Sequence, residues 1–384
     1  MHRGAAAALT GRDFPLQRSR CKEMRRTATQ LPSALGAIAL LIGAAHPAYA
    51  AKDDFPRVEK ALNARVSKGE FMGAILIARG SQVIFSKGYG NASVEWGIPN
   101  SPRTRFRIGS VTKQFTAAAT LILAERGRLK IDDLISKYMP EAPPAWKSIS
   151  FFNLLTHTSG IPDLTTFSDF DATEPFPATP GQLVQRFLTR PLDFPPGSGF
   201  RYSNSGYILL GYLLEKITGQ TYQQLIQKNI LDPLGMKDSG YDSNTRIISR
   251  HAAGYVSGKQ GLTVAGYVDM TIPFAAGGLY STTEDLLRWQ NALYGGKLLT
   301  AGSLARMTTP FKKDYAFGVA VDPDTGGNRV IWHDGSIEGF SASIVYVPAD
   351  RLSVIVLSNL EGSSARDARA DILAITKHEF TVPK

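Results

Sequence analysis

The stretch Ile108-Gly109-Ser110-Val111-Thr112-Lys113-Gln114-Phe115 sets a serine and a lysine three residues apart at the head of an apolar segment. From Val111 to Arg126 the positions Phe115, Ala118, Ala119, Ile122 and Leu123 keep a helical period, and Gly127 ends it. Ser110 and Lys113 therefore share one helix face. A serine hydroxyl is a weak nucleophile until a neighbour takes its proton, and an amine one turn away is placed to do so. The helix N-terminus adds unpaired N–H groups and positive dipole, both favouring negative charge at Ser110. The pattern alone is not specific, since Ser19-Arg20-Cys21-Lys22 repeats it. Context decides what it means.

Before this segment, Phe55 to Lys68 has a helical period (Val58, Leu62, Val66) and stops at Gly69. Ala74 to Ala78 and Val83 to Phe85 are apolar runs around Arg79-Gly80-Ser81-Gln82, which predicts a β-hairpin. Gly88 to Arg107 is rich in Gly, Pro and Asn and reads as loop. Between about Ile131 and Tyr294 helical patterns dominate, at 181–189, 205–217, 221–230 and 282–293, the last opened by a capping box of Ser281 and Glu284. Beyond Phe311 the pattern turns to strands at 317–321, 329–333, 342–347 and 352–358, with a closing helix over 365–380. The predicted fold is α+β, of the α/β sandwich type. One antiparallel sheet is built from both chain ends and flanked by helices, with a large, mainly helical insert over about 131–294.

Residues 1–50 read as leader. Met24-Arg25-Arg26, an uncharged apolar run from Ala34 to Ala45, and Ala48-Tyr49-Ala50 together predict a signal peptide over 24–50, cleaved after Ala50, with residues 1–23 lying upstream of the working start. The apolar run is shorter than the ~20 residues of a membrane span. The expected working protein is thus residues 51–384, periplasmic or secreted, with no stable membrane span. That part carries 36 Lys/Arg and 31 Asp/Glu, a net charge of +5 without any basic run, so no nucleic-acid partner is expected. The single cysteine, Cys21, falls in the leader, which excludes internal disulfides, thiolate zinc and a cysteine nucleophile from residues 51–384. No H-E-x-x-H or similar His/Asp/Glu cluster occurs, so neither metal nor other cofactor is expected.

Two further clusters could complete a site around Ser110. Tyr202-Ser203-Asn204 follows the loop Pro195-Pro196-Gly197-Ser198-Gly199 at a helix start. A tyrosine near cations can have its pKa lowered and relay protons, and an asparagine amide both donates and accepts. Read locally, however, Tyr202 fits a packed aromatic and Asn204 an N-cap. His333-Asp334-Gly335-Ser336 ends the strand Val330-Ile331-Trp332, where glycine permits close approach of another backbone or a substrate, though His-Asp-Gly also fits a plain turn. His157, in Thr156-His157-Thr158-Ser159-Gly160, reads as a structural hydrogen-bonding residue in a tight turn, and His251 has no evident partner. Gly277-Gly278 reads as close packing, since no Lys-Ser/Thr follows as a phosphate loop requires. The absence of G-x-S-x-G argues against an α/β-hydrolase.

Taken in order, Ser110-x-x-Lys113, Tyr202-x-Asn204 and His333-x-Gly335 resemble the three motifs of the serine β-lactamase and penicillin-binding protein superfamily. The likeness is greatest to its class C β-lactamase, DD-peptidase and esterase-like branch. Phe106 to Ser110, Leu154 to Gly160, Pro233-Leu234-Gly235-Met236 and Ala276 to Ser281 also look like segments of that family, so the resemblance spans nearly all of residues 51–384. It implies that Ser110 forms an acyl-enzyme, with Lys113 and Tyr202 handling protons. Asn204 would orient Lys113 and the substrate amide, and the N–H groups of Ser110 and Ser336 would form the oxyanion hole. The departure is His333. Where the family commonly has a lysine, a histidine of pKa about 6.5 is mostly neutral at neutral pH and a weak anchor for a substrate carboxylate. The implied activity is that of an esterase, D-amino-acid peptidase or amidase, or DD-peptidase-like hydrolase of small ester, amide or peptide substrates, with weak or no β-lactamase activity. A true class C-like β-lactamase and an inert binding protein of the same fold are the alternatives. Pro162 to Pro180, aromatic and acidic, is expected near the site mouth, where it would set substrate preference.

Overall fold

The computed structural model describes residues 54–378; the leader and its expected cleavage site lie outside them. Six strands carry the architecture: β1 (Gly73–Arg79), β2 (Gln82–Tyr89), β3 (Ala320–Pro323), β4 (Arg329–Ile337), β5 (Phe340–Val347) and β6 (Leu352–Ser358). They form one antiparallel sheet in the order β3-β4-β5-β6-β1-β2, so the N-terminal hairpin joins the C-terminal strands along the β1–β6 seam. The expectation of one sheet from both chain ends is met.

Side-chain alternation explains the layers. Ala74, Leu76, Ile355 and Leu357 face one core, against helices α2 (Thr112–Glu125) and α4 (Thr283–Tyr294). Their neighbours Ile75, Ile77, Val354 and Val356 face a second core, against α1 (Asp54–Ser67) and α5 (Ser364–Thr376). Between α2 and α4, Phe115 stacks on Trp289 at 4.1 Å, and the indole N–H donates to Gln114 Oε1 at 3.0 Å. Helix α3 (Asn204–Thr218) packs in the first core through Tyr207, Leu209, Leu210 and Leu213. A left-handed Gly219 ends it. Because α2 is buried along nearly its whole length, the two polar residues at its head, Thr112 and Lys113, are carried into the interior with it.

Four local expectations are corrected. His333-Asp334-Gly335 is neither turn nor strand end, because β4 runs on to Ile337. The turn-forming Asp334 is held there by partners distant in sequence: it pairs across the sheet with Ser343, whose hydroxyl donates to Oδ1 at 2.6 Å, and Arg369 of α5 donates to the same oxygen at 2.6 Å. The cap of α4 is Thr282, accepting from Asp285 N–H, one residue later than the Ser281/Glu284 box. The helical insert also contains a hairpin, Tyr255–Gly258 with Gly261–Val264, and the 88–107 loop carries short strands at Asn91–Ser93, Ile98–Pro99 and Phe106–Arg107.

Arg369 is almost fully buried, so removing its carboxylate partner strands a charge in the core. Asp334→Ala is expected to lower unfolding stability by about 3 kcal/mol, read from urea denaturation followed by circular dichroism. A loss below about 0.5 kcal/mol would mean that the pair does not hold the β4 extension against α5.

Candidate active site

Ser110 lies in a single 3-10 turn, Gly109–Val111, that leads into α2. Two glycines allow the face of β4 that carries Gly335 to press against this turn. β3 stops pairing at Ala320–Trp332, so from His333 onward β4 has a sheet partner, β5, on one edge only. A Cβ on Gly335 would sit 2.1 Å from Ile108 O and 3.1 Å from Ser110 N. A Cβ on Gly109, whose φ is +47°, would sit 2.8 Å from the backbone of Ser336. Only glycine fits either position, and the result is Ser110 set beside Ser336.

Lys113 Nζ, fully buried, has three partners: Ser110 Oγ at 3.0 Å, Asn204 Oδ1 at 2.8 Å and the carbonyl of Ala276 at 2.9 Å. The last two only accept. A neutral amine has two N–H donors and one lone pair, so donation to Asn204 and Ala276 leaves the lone pair for the hydroxyl proton of Ser110. Burial brings the Lys113 pKa down to about 7, outweighing the opposing charge of Asp163.

Asn204 owes its orientation to two neighbours. Ser203, not Asn204, caps α3, its hydroxyl accepting from Gly206 N–H, and this frees the Asn204 amide. Asp163 then accepts from both Asn204 Nδ2 (3.1 Å) and Asn204 N (3.2 Å), which turns Oδ1 toward Lys113. Tyr202 lines the same cavity as Ser110, and its ring lies 4.8 Å from Lys113 Nζ. The expected lowering of its pKa does not occur. Burial pushes the phenol well above its ordinary range, so Tyr202 is a proton donor at neutral pH and not a resident phenolate.

His157 has the structural role expected of it. It takes a left-handed backbone (φ +56°), its Nδ1 accepts from Ser203 N–H at 3.1 Å, and its carbonyl accepts from Arg201 N–H at 3.0 Å. Tyr202 packs on its ring at 4.3 Å. Burial and the Lys113 charge hold this imidazole neutral. His333 is neutral more firmly than its unperturbed pKa suggests. Its pKa is lowered to about 3, first by burial and then by Lys113. With Nδ1 donating to the Asp334 carbonyl at 2.5 Å, Nε2 accepts from the Tyr315 hydroxyl at 2.9 Å. His251, which lacked a partner in the sequence, lies 3.5 Å from Asp242 in a contact apart from Ser110.

Two cavities meet at Ser110 and Ser336. One, of about 860 Å³, is lined by Tyr202, Tyr315, His333 and Arg366 among others. The second, of about 270 Å³, is lined by Asn204 and by Leu164, Phe170 and Glu174 from the Pro162–Pro180 segment. Among the described residues no group of three or more His, Cys, Asp or Glu side chains is arranged to hold a metal ion.

With this geometry in view, the family comparison is specific: the model of the family described as Beta-lactamase matches residues 58–377. The chain belongs to the Beta-lactamase family. It is similar to PbpX of Bacillus subtilis strain 168, named for penicillin binding, at 30% identity over 77% of this chain and 72% of that one. The penicillin-binding protein structure from Bacillus halodurans matches at 29% identity and a TM-score of 0.73, covering 82% of this chain and 99% of that chain. A D-stereospecific amidohydrolase from Streptomyces sp. matches at 26% identity and a TM-score of 0.69, covering 83% and 97% respectively. The protein is a serine hydrolase of this family.

Seven site residues were expected from the sequence. The structure brings Ser110, Lys113 and Asn204 into hydrogen-bonded contact, lays the Tyr202 ring against Lys113, and sets His333, Gly335 and Ser336 along the cavity wall beside them. Asp163, Ala276 and Tyr315 were missed. Asp163 and Ala276 lie within the Pro162–Pro180 and Ala276–Ser281 segments noted in the sequence, whereas Tyr315 had no local signal.

If neutral Lys113 is the base, the acylation rate rises with pH as Lys113 loses its proton. For an uncharged ester, kcat/KM is expected to climb through a half-point near pH 7 and then level, as a pH–rate profile measures. A rate flat from about pH 5.5 to 8 would remove Lys113 from that role.

Proposed function

We propose that the protein is an exported hydrolase that acylates Ser110 with small ester or amide substrates, favouring D-aminoacyl amides, esters and peptides over β-lactams. The observation that carries the reading is the buried Lys113 amine, aimed at Ser110 Oγ by two acceptors that leave its lone pair no other partner.

In the first step Ser110 Oγ bonds to the substrate carbonyl carbon while its proton passes to Lys113 Nζ. The carbonyl π electrons move to oxygen, where the N–H groups of Ser110 and Ser336 are the intended donors. Losing one such donor typically costs about 3 kcal/mol of transition-state stabilisation. As the tetrahedral species collapses, the bond to the leaving amine or alkoxide breaks and the leaving group takes the Tyr202 proton, which Lys113 restores. Water then attacks the acyl ester with the same groups in reverse, releasing the acid and freeing Ser110.

The disfavour toward β-lactams rests on His333. A neutral imidazole already committed at both nitrogens supplies no fixed positive charge for a substrate carboxylate. Support for an amide substrate comes from the Streptomyces relative, whose name specifies D-stereospecific amide hydrolysis. Export is supported by the leader pattern in residues 24–50.

The test is intact-protein mass spectrometry and turnover against p-nitrophenyl esters, D-amino-acid amides and β-lactams. The expected result is hydrolysis of esters and D-aminoacyl amides through an adduct on Ser110, lost in Ser110→Ala, with β-lactams poorest by at least about 100-fold in kcat/KM. Fast β-lactam turnover would favour the β-lactamase alternative, and neither adduct nor turnover would favour an inert binding protein.

A further inference from the structure

The smaller cavity at Ser110 is walled by apolar side chains, Leu164, Phe170, Ile208 and Ile272, yet carries two carboxylates, Glu174 and Glu338. Glu174 comes from the acidic 162–180 segment, its carbonyl accepting from Asp269 N–H at 3.0 Å. Glu338 follows the last residue of β4, so its position is tied to that of Ser336 two residues earlier. Both side chains line the one cavity, and the charge of Glu338 raises the Glu174 pKa. Asp171 and Glu361 add negative charge around them, and Arg107 is the cation that Glu338 feels. Arg107 is itself engaged by Asp242 at 2.8 Å and lies over the Phe340 ring. Two facing carboxylates in an apolar pocket are unfavourable unless they share a proton or receive a cation.

We infer that this cavity is the acyl-side subsite and that Glu174 and Glu338 receive a primary ammonium on the substrate's acyl group. The inference rests on the acylation of Ser110 proposed above, since the cavity contains that residue. Its chemistry is distinct: apolar walls accept a short hydrocarbon and the carboxylates accept the charge at its end, each N⁺–H···O⁻ contact being of the stronger kind. The larger cavity, lined by Tyr202, then takes the leaving group, where a proton donor is required. The pair also has a titration signature. Burial and the neighbouring carboxylates Glu338, Asp171 and Glu361 push Glu174 up to about 7. Below that pH the pair holds a proton and attracts an ammonium less; above it both carboxylates are charged.

The test compares kcat/KM for amine-bearing substrates and their neutral isosteres: p-nitrophenyl 3-aminopropanoate against butanoate, 6-aminohexanoate against heptanoate, and D-alanyl against isobutyryl p-nitroanilide. At about pH 8 at least one amine-bearing member is expected to exceed its isostere about tenfold or more, the ratio falling toward one at about pH 6. Lys113 serves both members of a pair, so its own titration cancels in the ratio. In Glu338→Gln and Glu174→Gln the ratio is expected to fall severalfold. A ratio near one in every pair, or one indifferent to pH and to both substitutions, overturns the inference while leaving the serine chemistry standing. If neither member of any pair is hydrolysed, it is the acylation of Ser110 that fails.

Discussion

The whole site depends on one unfavourable placement: the Lys113 amine is carried into the core by an apolar helix. Had α2 been amphipathic in the usual way, Lys113 would be hydrated and cationic at neutral pH, with no lone pair to offer. Twelve buried residues in α2, packed on Trp289 and the sheet, make that exit impossible. Desolvation then competes with the charge of Asp163, which also orients Asn204, and the pKa is left near neutrality. The same apolar surroundings act with opposite sign on Tyr202, which they keep protonated, and they hold His157 and His333 neutral. A single cause, removal of water, sets base, acid and scaffold.

The placement also requires β4. An open strand edge is normally a hazard that a protein covers. Here β3 stops at Trp332, and the Ser110 turn packs on the face of the remaining strand at Gly335. Asp334, Ser343 and Arg369 keep that remainder straight from behind, while Tyr315 holds the His333 ring in front. The family relationship and the catalytic geometry are therefore expressed by the same few contacts.

What was legible in the sequence follows from range. The Ser110/Lys113 spacing and the apolar runs that form β1 and β6 are local patterns, and they emerged as read. Tyr202 and Asn204 were visible but ambiguous, because whether Asn204 caps a helix or faces a lysine depends on Ser203 taking the cap. The continuation of β4 through His333-Asp334-Gly335 was hidden, since Asp-Gly favours turns until Arg369, distant in sequence, supplies its charge. Tyr315 carried no signal, and nothing local gave Asp163 its role. Each acts on a residue brought near only by the finished fold, and no local pattern encodes such a partner. The direction of the Tyr202 shift was misjudged for a related reason: proximity to a cation suggests lowering, but the extent of burial decides.

The most direct measurement of the central claim is the protonation state of Lys113 itself. Selective ¹⁵N labelling of lysine, with Lys113→Met to assign the resonance, allows its Nζ to be titrated by NMR in the folded protein. Half-protonation is expected near pH 7. An amine that stays protonated to about pH 10, as a solvated lysine does, would contradict it.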